Sequence, residues 1–404
     1  MPVAPRATRF ECLDTLRGFA VLGILMVNVQ FFAMVWAVDE FPYVQGNFDA
    51  PINRTVWWIT ETFFTLKFIT LFSAMFGAGI ILMLGTGEAV HKRHWRRMLF
   101  LLMFGLIHAY VFWYGDILVP YALAGMVIVT ARRMSIGGLF WLGTGLTAFT
   151  GLLMVGGAAI GGLLGEDMSG AEAMGFTSER IVEITALYQS GFLERMPYNA
   201  GTAAMFELIQ LVFFSGRIAG VMLIGMAAFR SGFLTLGWAR QHYLFSAAIA
   251  IPLGVLLCGW QASHLLATDF APSEAWKAAA AQYVGSMILA FGYASGIMLM
   301  AQSGWLKPVT GILAYTGRMA FTNYLTQTLI MTFIFVGFPG LGLFGTVDRA
   351  GQALIVLAVW ALQLVWSPLW LSTFRFGPME WLWRTLTYGK PQPWKRVRPA
   401  SDSA

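Results

Sequence analysis

Long apolar stretches separated by short polar turns set the pattern of this chain. Runs of about 20 apolar residues recur along it, each long enough as a helix to cross about 30 Å of hydrocarbon. Ten spans are predicted: 17–38, 57–85, 98–114, 117–131, 136–164, 205–229, 243–266, 280–303, 310–337 and 351–373. The third is short and ends in Trp113-Tyr114-Gly115-Asp116, so the third and fourth are expected to form a tight hairpin. The second and ninth are long enough to tilt or to begin as interfacial helices. The first is too long for the core of a secretory signal and no small-residue cleavage site follows it, so it is expected to remain as a span. The pattern predicts an all-α, polytopic membrane bundle, with 1–404 as a single integral membrane domain.

Between spans, residues 178–195 alternate apolar and charged positions at helical spacing, and Ser178 can cap their start. An amphipathic helix on the outer surface is expected within the extramembrane segment 165–204, either as a connector or as a lid over an outward cavity.

Composition agrees with the pattern. Of the 404 residues 58% are hydrophobic and 11% charged, against about 25% charged in a soluble domain. A water-wetted polar shell cannot be built from so few charges. Soluble enzymes, secreted modules and disordered chains are excluded. The two cysteines, Cys12 and Cys258, form neither a disulfide framework nor a metal-ligand spacing, and no metal is expected. The net charge of +6 does not indicate a nucleic-acid partner; its distribution indicates a lipid bilayer. Seventeen of the 26 bases fall in one alternate set of connections: Arg6, Arg9, Lys92, Arg93, Arg96, Arg97, Arg132, Arg133, Arg230, Arg240, Lys307 and the tail bases through Arg398. Only Arg54, Arg180, Arg195, Lys277 and Arg349 fall in the other. By the positive-inside rule both termini are cytoplasmic, 374–404 is a basic, aromatic cytoplasmic tail, and 165–204, with six acids against two bases, is outside.

Polar residues inside spans are costly unless paired or wet, so each marks a candidate site. They are Asp14, Arg17 and Asn28 in span one, Glu61 and Lys67 in span two, His108 and Asp116 in span three, Glu207 and Arg217 in span six, and Arg318 and Asn323 in span nine. Asn28 and His108 each lie eleven residues past an inner arginine, about 16 Å in, and Arg318 ten past Pro308, so the three are expected near one level. Asp14 and Arg17, three apart, can pair with each other. Glu61 and Lys67, six apart, cannot pair directly on one helix and should find partners on another span. Arg217 is expected as the counter-ion of a buried carboxylate. His108 is either an inter-helix bridge or a general base, a role that histidine suits because an imidazole ordinarily titrates near neutrality. Ser73, Gly77 and Gly79 allow close helix contact. No phosphate-binding loop, HExxH, GxSxG or dinucleotide fingerprint occurs.

The same residues fall into a family order. Leu13-Asp14-Thr15-Leu16-Arg17-Gly18-Phe19-Ala20, Val27-Asn28, Lys67-Phe68, Phe76-Gly77-Ala78-Gly79, Gly105-Leu106-Ile107-His108, Gly115-Asp116, Gly317-Arg318, Thr322-Asn323-Tyr324 and the tail Gly377-Pro378-Met379-Glu380-Trp381-Leu382-Trp383-Arg384 resemble the YeiB family of bacterial inner-membrane proteins (domain of unknown function 418). The likeness runs from about residue 10 to 395 and implies a multi-pass protein of the bacterial inner membrane. The N-terminal part is more distantly similar to heparan-glucosaminide acetyltransferase and to membrane acyltransferases that carry an acyl group from cytoplasmic acyl-CoA to an acceptor across the membrane. That enzyme's Asp-x-x-Arg-Gly opening and later Val-Asn pair map onto Asp14, Arg17, Gly18 and Asn28. Its outer-loop histidine has no counterpart, because residues 29–56 contain no histidine.

Acyl transfer needs a base for the acceptor's proton and a donor for the developing oxyanion. His108 can be the base, oriented by Asp116 or Glu61, with Asn28 as the oxyanion donor. Arg17, Arg96, Arg97 and Arg384 suit the diphosphate of acyl-CoA, or serve only lipid phosphates and topology. Trp381 and Trp383 can stack on an adenine. Arg217, Arg318, Asn323 and Lys67 are candidates for a glycan or lipid-linked acceptor. Two other readings stand beside this one: a transporter or flippase for a small solute or lipid-linked sugar, and a non-catalytic scaffold. The halves 1–200 and 205–404 show no convincing inverted repeat.

Overall fold

The computed structural model describes residues 10–85, 91–164 and 170–396. Arg6, Arg9, Arg398, the first five residues of the outer segment (165–169) and the end of the tail lie outside the described residues. With the basic side taken as inner, α1 (Glu11–Ala33) rises outward. The 3-10 turns Trp36–Asp39 and Pro42–Val44 follow, and the chain returns through α2 (Pro51–Phe63) and α3 (Lys67–Leu84). α4 (His91–Ile107) runs into a π-helical turn, His108–Phe112, and α5 (Leu118–Ile128) is its hairpin partner. α6 (Ile136–Leu164) rises to the outer segment, which holds α7 (Gly170–Ala173) and α8 (Ser178–Ser190). α9 (Met196–Ile209), a second π-helical turn (Gln210–Phe214) and α10 (Ser215–Arg230) lead back inward. α11 (Arg240–Ala267) and α12 (Ala275–Ser303) form a hairpin. α13 (Lys307–Arg318) and α14 (Ala320–Phe335) rise, α15 (Arg349–Thr373) descends, and α16 (Pro378–Tyr388) lies at the inner side. No strand forms among the described residues.

Eight of the expected spans are helical stretches long and apolar enough to cross a bilayer. The fourth and ninth are shorter than predicted. The fourth is the eleven-residue α5, followed by a 3-10 turn, Val129–Arg133. The ninth breaks at Met319 (φ −112°, ψ 24°). The cause is a close crossing of α13 over the inner end of α1. A Cβ on Gly317 would lie 1.8 Å from the Asp14 carbonyl oxygen, and one on Gly18 would lie 1.9 Å from that of Leu313. The crossing holds α13 at the inner side, so the chain must turn before it can rise. Asn323 Nδ2 spans the turn by donating to Thr316 O at 3.0 Å.

The second span is interrupted as well. Residues 64–66 separate α2 from α3, and Leu66 adopts the left-handed region at φ 68°, a conformation uncommon outside glycine. The outer ends share one apolar core, in which Phe32 of α1, Trp113 and Tyr114 of the hairpin, Tyr188 of α8 and Phe344 before α15 are buried together. α8 is fastened there by Gln45 Nε2 donating to Thr185 Oγ1 at 3.2 Å and Gln189 Nε2 to Phe344 O at 2.7 Å. Its cap is Thr177, not Ser178: the Thr177 hydroxyl accepts from the Arg180 amide at 3.3 Å.

Candidate functional site

His108 opens the π turn that ends α4. It is the last turn of the helix, so the carbonyls of Ala109, Tyr110 and Phe112 have no amide ahead of them within it. Asn199 Nδ2 donates to the first two at 2.9 and 3.2 Å, and Arg195 Nη2 to the third at 2.6 Å. Such turns recur at functional positions. His108 is 2% exposed and Asp116 fully buried. His108 Nδ1 lies 2.7 Å from Asp116 Oδ1, and Nε2 lies 2.8 Å from Thr328 Oγ1 on α14. The other carboxylate oxygen, Oδ2, accepts the Val119 amide at 2.7 Å. An ionised carboxylate accepts only, so opposite it Nδ1 donates, and in a neutral imidazole the Nε2 lone pair then faces the Thr328 hydroxyl. Trp113 and Tyr324 rings border the imidazole, at 6.0 and 5.2 Å between centroids. Trp113 Nε1 is a buried donor with no hydrogen-bond partner among the described residues.

Asn28 and His108 are each the eighteenth residue of their helix, about 25 Å from the inner end, so they share a level in the outer part of the bundle. Asn28 is half-buried and lies one helical turn below Phe32, which stacks on Trp113 at 4.1 Å. Arg318 does not share that level. The crossing of α13 over Asp14–Gly18 puts it at the inner end, where its guanidinium lies 5.5 Å from the Tyr315 ring. Asn323 is fully buried and engaged by Thr316 O, Ser367 Oγ and the Trp366 indole, so it holds the α13–α14 turn against α15.

Glu61 is not beside His108. It stands at the α2–α3 break, where Thr65 Oγ1 donates to Oε1 at 2.8 Å and Gln282 Nε2 of α12 to Oε2 at 3.1 Å. Lys67 Nζ, fully buried, donates to the Glu61 carbonyl at 2.5 Å and to Gln282 Oε1 at 3.4 Å. The two ionisable residues thus meet at the Glu61 main-chain carbonyl and, through their side chains, at a shared partner on another span, Gln282. Arg217 has hydroxyl and aromatic partners in place of the expected carboxylate. Nη2 donates to Thr70 Oγ1 at 3.0 Å and Ser286 Oγ at 2.9 Å, and the Tyr283 ring lies 4.4 Å from the guanidinium carbon.

On the inner side Asp14 and Arg17 pair at 3.1 Å. Arg97 stacks on Trp383 at 4.5 Å and lies within electrostatic reach of Arg17 and Arg384. Arg96 donates to Leu386 O at 2.8 Å, tying α4 to α16. The Trp381 indole packs edge-on against Trp394 and donates to Gln392 O at 2.8 Å, so this ring belongs to the tail's own packing.

Several residues gain a place that sequence reasoning did not give them. Thr328 closes the His108 line. Arg195 holds the π turn. Arg349, expected only as an outer-loop base, is 4% exposed and donates to Gln30 Oε1 at 3.0 Å and Pro42 O at 2.9 Å. It lines a cavity of about 10 Å³ with Gln30, Trp57, Thr60 and Gln352, room for about one water. Asp39, at the outer mouth, is open to solvent yet surrounded by protein. That surrounding, followed by Glu61 and Glu40, pushes its carboxyl up to about 7.

Membrane-length helices enclosing buried ionisable clusters define a multi-pass helical membrane protein. Residues 228–390 match the family described as "Protein of unknown function (DUF418)". The chain is 33% identical to the uncharacterized protein YeiB of Escherichia coli (strain K12), over 93% of this chain and 95% of that one. It is 31% identical to the uncharacterized protein YxaH of Bacillus subtilis (strain 168), over 95% and 96%. The chain belongs to this YeiB (DUF418) family. No solved structure matches it.

Proposed function

We propose that this membrane protein transfers an acyl group from cytoplasmic acyl-CoA to a glycan or lipid-linked acceptor, in a bacterial inner membrane. The observation that carries the reading is His108, held between Asp116 and a hydroxyl at hydrogen-bond distance on both ring nitrogens. This is the base-and-orienter geometry that deprotonates an alcohol or amine. The acceptor's hydroxyl or amine replaces Thr328 at Nε2 and gives its proton to His108 as it attacks the thioester carbonyl. The thiolate of CoA leaves and takes that proton. Trp113 Nε1, which has no hydrogen-bond partner among the described residues, is available to the carbonyl oxygen as charge develops. Arg17, Arg97 and Arg384 supply the positive inner mouth that a diphosphate needs.

Thermal unfolding of the detergent-purified protein with acetyl-CoA, longer acyl-CoAs, CoA and ATP tests the reading. A ligand at 100 times its dissociation constant adds about 2.7 kcal/mol. Stabilisation by CoA species and not by ATP is expected, with transfer lost and binding kept in His108→Ala. No shift with any CoA species, or a fully active His108→Ala, would sink it. Transport is a second reading, favoured by the broken α2–α3 span at Lys67. Solute flux in proteoliposomes without CoA would establish it instead.

A further inference from the structure

The cavity beside Arg349 lies in the outer half of the bundle, between α1, α2 and the outer start of α15, and is enclosed only in part. Its free space of about 10 Å³ takes one water-sized group. Gln30, Thr60, Arg349 and Gln352 bring polar atoms to its wall. Those atoms are only half engaged. Arg349 donates to Gln30 Oε1, and Gln352 Nε2 donates to Val347 O at 2.9 Å. Each amide thus keeps its other end, Gln30 Nε2 to donate and Gln352 Oε1 to accept. The Thr60 hydroxyl gives its proton to Val56 O at 2.9 Å, and its oxygen still accepts. Arg349 Nε is buried and makes no hydrogen bond among the described residues.

Charge and polarity narrow the occupant. Arg349 has two carboxylates within electrostatic reach, Glu61 and Asp39. They offset its charge, so the wall does not call for an anion, and the guanidinium repels a cation. An apolar group would leave the donors and acceptors unmet. What fits is a neutral group that donates and accepts at one atom, and at this size that is a hydroxyl.

We propose that this cavity is the seat of one hydroxyl group, held between Gln30, Gln352 and Arg349. The chemistry is shared by a single water and by a hydroxyl of a polyol or sugar. The seat is separate from the His108 line and does not depend on the acyl-transfer reading.

Hydroxyl-radical footprinting of the full-length protein in detergent tests it, with oxidation read residue by residue by mass spectrometry. The radicals form from water, so a buried ring is oxidised quickly where water stands beside it. Trp57 lines the cavity and Trp113 does not, and each is 3% exposed. Trp57 is expected to oxidise several-fold faster than Trp113. Ala353, also on the wall, is the place to fill the space. Ala353→Val is expected to bring Trp57 down to the Trp113 rate. Gln352→Leu, which removes the acceptor at nearly constant volume, gives the same reading if the first variant does not fold. Glycerol or glucose is then added, with Trp113 as the standard for radicals that the additive consumes. A lower ratio of Trp57 to Trp113 oxidation assigns the seat to a solute hydroxyl; an unchanged ratio assigns it to water. Equal rates at the two rings in wild type overturn the proposal. A Trp57 excess that survives in a folded variant overturns it as well.

Discussion

Glu380 and Thr322 join the tail to the bundle. The Glu380 carboxylate accepts the Thr322 hydroxyl at 2.5 Å and amide at 3.1 Å, and the Phe321 amide at 2.7 Å. A side chain from α16 thereby caps the first turn of α14, whose free amides have no helical partners. Burial raises the Glu380 carboxyl above its ordinary value, against the hydrogen bonds that lower it. Glu380→Ala is expected to cost about 1–2 kcal/mol, the range of a lost cap, and Glu380→Gln less, because one carbonyl oxygen remains to accept. Thermal unfolding of both variants checks this; equal stability of Glu380→Ala and wild type would contradict the cap.

Gly77 and Gly79 are separated by one residue and differ in consequence. A Cβ on Gly77 would lie 1.9 Å from Met222 O, in the contact of α3 with α10, whereas one on Gly79 meets nothing within 4 Å. Gly77→Ala should lose about 1–3 kcal/mol by forcing the helices apart. Gly79→Ala should be neutral or gain up to about 1 kcal/mol of helix propensity. Similar losses from both would refute the assignment of the contact to Gly77.

Lys67 fills the gap in the second span. Lys67→Met removes the donor to the Glu61 carbonyl and to Gln282, and is expected to cost about 1–3 kcal/mol, the penalty for unsatisfied buried polar groups. Adding Glu61→Gln should recover part of the loss, since a buried carboxylate then no longer faces the missing ammonium. A double variant less stable than the single would contradict this coupling.

Asp39 makes stability depend on pH in a defined direction. Its folded carboxyl lies near 7 and its ordinary value is 3.8. The folded state therefore favours the protonated form, and stability falls as pH rises from about 4 through 7. Asp39→Asn should raise the unfolding temperature at pH 8.5 and leave it little changed at pH 4. Water reaches this side chain, so screening keeps the effect small. Unfolding temperatures of the two proteins across that range decide it; a constant difference at every pH would assign the effect to packing.

The helical class, the span positions and the basic face were legible because hydropathy and charge repeat over tens of residues. The Asp14–Arg17 pair was legible because its spacing is local. The breaks at Leu66 and Met319 were not, since both lie within apolar runs and arise from distant contacts: Gly317 against Asp14, and Lys67 against Gln282. Arg349 looked like any outer base, and only the fold brings it to Gln30, 319 positions away. Thr328 carries no signal in a threonine-rich helix until His108 is placed opposite it. The pairing of Glu61 with His108 failed because sequence gives depth along each span but not which faces meet.

The two π turns touch the same residue, Asp116. His108 opens one and binds the Asp116 side chain, while Gln210 opens the other and donates to the Asp116 main-chain oxygen at 3.1 Å. A π turn is an α-helix holding one surplus residue, and one residue is about 100° of rotation about the axis. A plain α-helical turn in its place would carry His108 off Asp116 and Thr328 together, so the surplus residue is what sets the aim of the imidazole.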